Sequence, residues 1–96
     1  MNALKHVDNH MDDLISDLQK LIQQPSVSAK NEGIEECAKL VQTLLKSSGL
    51  KSEILRLKKG VAPIVYAEIN SKSNPHKTLM FYNHYDVQPA EPFDLW

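Results

Sequence analysis

A histidine and an aspartate two residues apart, His84 and Asp86, are the pair in this sequence best suited to chemistry. On an extended segment residues i and i+2 point the same way, so both side chains can face one point. A metal-ligating imidazole usually donates its other ring N–H to a carboxylate or carbonyl, which fixes the tautomer and raises the basicity of the ligating nitrogen. Asp86 suits that supporting role, or the role of a ligand itself. The bland alternative is a strand-end histidine bonded to backbone, followed by an aspartate that starts the turn before Pro89. Taken alone, a bare His-x-Asp fits the alternative better.

The flanking residues shift that balance. Leu79, Met80, Phe81 and Tyr82 leave neither face of a strand polar, so the segment reads as a strand buried on both sides, of the kind found centrally in α/β sheets. His84 then falls at its carboxyl end, where the ligand crevice of an open α/β sheet lies. The run FYNHYDVQP, continuing AEPFDLW, resembles the first metal-binding motif of the M20 family of zinc aminoacylases and peptidases, a hydrophobic strand ending in His-x-Asp-x-x-Pro. The version here, with Gln88, then Glu91-Pro92 and Leu95-Trp96, is most similar to the dipeptidase branch that contains the carnosine dipeptidases. The resemblance reaches back through PSVSA (25–29) and APIVYAEI (62–69) and covers nearly the whole chain.

The resemblance implies an α/β fold in which two amino-terminal helices pack on a partial mixed sheet. Residues 1–96 would form the first part of a zinc-peptidase catalytic domain, the remaining catalytic and lid or dimerisation parts being absent. His84 would bind one of a pair of zinc ions, and Asp86, as a catalytic residue, would hold and polarise that imidazole. The parent protein would hydrolyse the bond of a small peptide, a dipeptide, with a homodimer as one option for its assembly. An M20-like deacylase would use the same metals on an N-acyl amino acid, and only Gln88 and the Glu91-Pro92 context argue against it. A third reading, from a different class, is a non-catalytic fragment that acts only by association. In the proteins resembled, a bridging Asp, a Glu-Glu pair, a further carboxylate and a distant second His follow the matched region, and none has a counterpart before Trp96. A catalytic zinc normally needs three protein ligands, so the chain alone is expected to be hydrolytically inactive and to bind zinc weakly. Gln88 and the loop at 90–96 are expected to line the substrate crevice.

The elements that must position the pair are legible from periodicity. Leu4, Val7, Met11, Leu14, Ile15, Leu18, Leu21 and Ile22 recur at three- and four-residue steps, predicting one helix over about 4–24, ended by Pro25. His6, His10 and Asp13 lie beside that stripe and make a surface metal site conceivable, although a solvated polar face explains them better. Asn31 is a plausible N-cap for a second helix carrying Ile34, Cys37, Ala38, Val41, Leu44 and Leu45 on one face. Glu32, Glu35 and Glu36 at its start and Lys46 near its end suit the helix dipole, and Gly49 suits the left-handed residue beyond it. Residues 50–57 read as an exposed or edge strand and 62–69 as an alternating one, close enough to the strand that begins near 77 or 78 to form a hairpin with it unless a neighbouring strand intervenes.

Composition bounds the rest. With 96 residues the chain holds one domain at most. Eleven basic and 12 acidic residues, net charge −1, leave no electrostatic footprint for nucleic acid or an anionic membrane. Three glycines and no glycine-rich loop exclude a nucleotide-binding fingerprint. Cys37, a single cysteine on an apolar stripe, reads as a small buried hydrophobe. The absence of an apolar leader or spanning run makes a cytoplasmic setting the default expectation.

Overall fold

The amino-terminal apolar repeat does form helix, but in two pieces. The computed structural model describes residues 2–96, and it opens with Asn2, whose side-chain oxygen accepts the Lys5 N–H at 2.8 Å and caps helix α1, Ala3–Asn9. His10 leaves the helical range at φ −124° and ψ 21°, and helix α2 then runs over Met11–Gln23. The continuous helix expected over 4–24 is therefore broken at His10. The local competitor is the His10 side chain, whose Nδ1 sits 2.9 Å from the His6 carbonyl while the His10 N–H is shared between His6 and Val7. At the other end Gln24 is extended, as the residue before a proline must be.

Residues 25–33 form a closed loop before the next helix. Val27 and Glu32 exchange backbone hydrogen bonds of 2.9 and 3.1 Å around a single 3-10 turn at Ser28–Lys30. Asn31, the expected N-cap, instead ends that turn in the left-handed region at φ 49°, a conformation asparagine tolerates better than most residues. Gly33 takes the cap position at φ 73°, and its backbone lies so close to Pro25 that a Cβ there would stand 2.1 Å from the Pro25 carbonyl oxygen.

Helix α3, Ile34–Ser47, carries the core. Ile34, Cys37 and Ala38 are buried and Val41, Leu44 and Leu45 half-buried, which is the face the spacing predicts, and Cys37 is 2% exposed. Glu35 and Glu36 lie in its first turn, Lys46 in its last, and Gly49 adopts φ 91° just beyond it.

Strands β1, Lys51–Leu55, and β2, Ile64–Glu68, pair antiparallel with Ser52 opposite Ala67 and Ile54 opposite Val65. These four are the less exposed residues of the two strands, and their face lies against α3. Helix α2 packs chiefly on α3 rather than on the sheet. The fold is thus a small α/β arrangement of three helices and a two-stranded antiparallel sheet.

Two expectations about the sheet are corrected. It is antiparallel rather than mixed, and the partner of 64–68 is 51–55, not the segment starting near 78. Residues 77–86 form no strand, and Leu79, Met80, Phe81 and Tyr82 are 79–83% exposed. A run that is apolar on both faces needs a neighbour on each side. Here β1 and β2 satisfy each other through a short connection, where loop closure is entropically cheap, and the apolar run is left without a ladder.

Beyond the hairpin, Arg56 grips the first turn of α3 through a bidentate pair with Glu35, at 2.5 and 2.8 Å. The guanidinium hydrogen bonds hold the Glu35 carboxyl below its ordinary value of 4.5. An unfolded chain titrates at that ordinary value, so the pair's small contribution is complete above it and is lost as pH falls through the lower folded value. Arg56→Met should return the Glu35 carboxyl toward its ordinary value, read by carbon-detected NMR titration.

The glycines supply a second test. Gly60→Ala, at φ 84° with open space around the added methyl, should cost ~1 kcal/mol from backbone strain alone. Gly33→Ala should cost ~1–3 kcal/mol beyond that, because the methyl meets backbone. Urea denaturation of the two variants measures the difference.

Candidate functional site

The site is built where two distant stretches meet. Val87 donates its N–H to the Ser26 carbonyl at 2.8 Å, and Val27 and Val87 form an isolated parallel bridge, so the segment carrying His84 and Asp86 docks on the closed 25–33 loop. Tyr85, which points away from the pair, anchors the same segment inward. Its hydroxyl donates to the Pro63 carbonyl at 2.5 Å, ahead of β2, and its own carbonyl lies 3.8 Å from the buried Cys37 sulfur. Burial pushes the Tyr85 phenol above its ordinary value of 10.0, so it remains a donor across the physiological range.

With Tyr85 turned in, His84 and Asp86 turn out together. His84 Nδ1 and Asp86 Oδ1 are 3.1 Å apart, and Ser28 Oγ donates to Asp86 Oδ2 at 2.8 Å. The Ser28 hydroxyl, and after it the His84 ring, hold the Asp86 carboxyl below its ordinary value of 3.8. An ionised carboxylate only accepts, so Nδ1 carries the shared hydrogen, and in the neutral ring Nε2 presents its lone pair. Tyr82 packs edge-on against the His84 ring, with centroids 5.6 Å apart. The i, i+2 reasoning from sequence therefore brings the pair together without the strand that motivated it.

Ser28 escaped the sequence reading as a site residue. The only signal was its place in the PSVSA turn, and 58 positions separate it from Asp86. The order of contacts is Ser28, Asp86, His84, with the carboxylate in the middle. In a nucleophilic triad the serine touches the imidazole and the carboxylate sits behind it. Here the hydroxyl hydrogen is committed to a carboxylate, so Ser28 is a support and not a nucleophile.

An open groove of about 400 Å³ runs beside the pair, between Ile64 and Val65 of β2 and the segment with Phe81, Tyr82, His84 and Asp86. Ile34, Ala62 and Pro63 complete its largely apolar lining. Gln88 and residues 90–96, expected to line such a crevice, are not among its walls. Phe93 instead sits under the Lys30 ammonium, 5.3 Å from the ring centroid.

The chemistry of this donor pair is open to a metal ion. An imidazole free at Nε2 and backed at Nδ1 by a carboxylate is the usual zinc-bound arrangement. Among the described residues no three His, Cys, Asp or Glu side chains come together, so no third such side chain joins His84 and Asp86. His6 and His10 stack with ring centroids 4.2 Å apart on α1 and its cap, but His10 Nδ1 is occupied by the His6 carbonyl. No helix among the described residues is long and apolar enough to cross a membrane.

No protein-family model matches the chain, and neither a curated protein nor a solved structure does.

Tyr85 tests the inward anchor. Tyr85→Phe removes the donor to Pro63 and should lower stability by ~0.5–1.5 kcal/mol, read by urea denaturation. It should also loosen the His84–Asp86 contact, visible as added line broadening of the His84 ring signals.

Proposed function

We propose that His84 and Asp86 form the first metal-binding corner of an M20-like zinc hydrolase, with a dipeptide as the substrate class. The single observation that supports this reading is the 3.1 Å contact that ties His84 Nδ1 to Asp86 and leaves Nε2 to a metal. In that reading His84 is a ligand, and Asp86 orients the ring and keeps the hydrogen on Nδ1. The groove beside them would hold the apolar part of the substrate, against Ile64, Val65 and Phe81. Bound zinc would supply Lewis acidity, polarising a scissile carbonyl and lowering the pKa of water toward ~7. The proposal requires further ligands and a general base from outside residues 1–96, since the described residues contain no group of three donors. A homodimeric, cytoplasmic parent fits the same reading.

A deacylase acting on an N-acyl amino acid would use the same corner, and hydrolysis assays with both substrate classes separate the two. A binding role is favoured by a different observation, the exposure of Leu79, Met80, Phe81 and Tyr82 in one continuous run. Under that reading the protein associates through this run and His84 is indifferent to metal.

Zinc titration followed through the backbone amide signals of residues 83–87 is the direct test. The expected result is a saturable shift that disappears in His84→Ala and needs about 10–100-fold more zinc in Asp86→Asn. An unchanged response in His84→Ala removes the metal reading. Reading the gene past codon 96 tests the enzyme itself, because an Asp, a Glu-Glu pair and a second His must follow.

A further inference from the structure

The Asp86 carboxylate has its two oxygens divided between two partners, Oδ2 to Ser28 and Oδ1 to His84. From this division we propose that Ser28 is a positioning residue, which orients Asp86 and through it fixes His84 with hydrogen on Nδ1 and the Nε2 lone pair outward. The inference deepens the reading of His84 as a metal ligand and concerns how that ligand is prepared before any metal arrives.

The platform beneath Ser28 is what allows it to act. Its hydroxyl projects from the 3-10 turn Ser28–Lys30, closed by the Val27–Glu32 backbone pair and by the Asn31 N–H donated to the Ser28 carbonyl at 3.1 Å. Gly33, pressed against Pro25, closes the base of the loop. The Val87 N–H on the Ser26 carbonyl fixes the distance between this loop and the Asp86 backbone. Both ends of the Ser28–Asp86 bond are thus held by main chain, and little freedom remains to be lost when it forms.

Without Ser28 the carboxylate is free to rotate about its terminal torsion, which is broad for aspartate. Either oxygen can then face solvent, and the hydrogen bond that selects the Nδ1–H tautomer is shared with water. A neutral imidazole left to itself favours hydrogen on Nε2, which is the wrong tautomer for a ligand at that nitrogen. Ser28 therefore acts at one remove: it touches the carboxylate and determines the ring.

The test is the His84 tautomer, read from long-range nitrogen–proton correlation spectra of the nitrogen-15-labelled, metal-free chain, in buffer chosen so that the ring-nitrogen shifts show a single ring hydrogen. Wild type should be predominantly Nδ1–H. Ser28→Ala should move the tautomer ratio toward Nε2–H by about fivefold, the scale of one net hydrogen bond, and Ser28→Thr, which restores a hydroxyl, should recover it. A Ser28→Ala chain that keeps wild-type backbone signals and an unchanged His84 tautomer overturns the proposal. If Ser28→Ala does not fold, Ser28→Cys, whose thiol is only a weak donor to the carboxylate, takes its place, and an unchanged His84 tautomer there is equally fatal. Zinc then enters as a second arm, with Ser28→Ala expected to weaken binding about three- to tenfold, less than Asp86→Asn. A chain that shows the tautomer effect but no zinc response retains Ser28 as a positioning residue and loses only the metal reading.

Discussion

The close approach of Gly33 to the Pro25 carbonyl is the constraint on which the rest of the structure depends. It joins the end of the first helical layer to the start of α3 with no room for a side chain. Because the approach is backbone on backbone, it cannot be relaxed by a rotamer change. It closes the loop that carries Ser26, Val27 and Ser28, and it sets the direction in which α3 leaves to meet the hairpin. One glycine therefore sits both at the start of the core helix and at the base of the ledge on which the His84 segment rests.

The core built from that point is small. Ile34, Cys37 and Ala38 are its buried apolar residues, and they occupy the first half of α3, facing the hairpin and the underside of the Tyr85 segment. Cys37 shows why a residue that is compact as well as apolar is needed there, since its sulfur lies against the Tyr85 carbonyl. Around this centre, the α2 stripe from Met11 to Ile22 and the run from Leu79 to Tyr82 remain substantially exposed. A segment with so few buried apolar contacts and so few backbone hydrogen bonds belongs to the low-stability end of a fold. Its attachment near His84 comes from point contacts at Tyr85, Asp86 and Val87.

Those contacts divide by direction. Tyr85 goes inward to Pro63 and Cys37, while His84 and Asp86, its neighbours, go outward to each other and to Ser28. The inward residue resists titration because burial penalises its charged form, and the outward carboxylate stays charged because hydrogen bonds favour it. A segment that lacks a sheet partner can still present a defined pair of side chains when the residue between them is anchored.

The sequence by itself determined whatever is set by neighbours along the chain. Helix α3 and its apolar face, the stop at Pro25, the left-handed Gly49, the alternation in β2 and the common direction of His84 and Asp86 all follow from local spacing and local chemistry. Tertiary structure decided what depends on partners far away in sequence. Periodicity reports that a run such as Leu79 to Tyr82 is apolar on both faces, but not whether strands exist to cover it, and here β1 takes the place beside β2 that the run was expected to fill. At the His10 break a side chain shares the His6 carbonyl with the helical backbone N–H, a choice between local options of similar energy that residue spacing does not resolve. Ser28 joined the site because the loop closed at Gly33 brings it to Asp86 across 58 positions, a distance no local pattern spans.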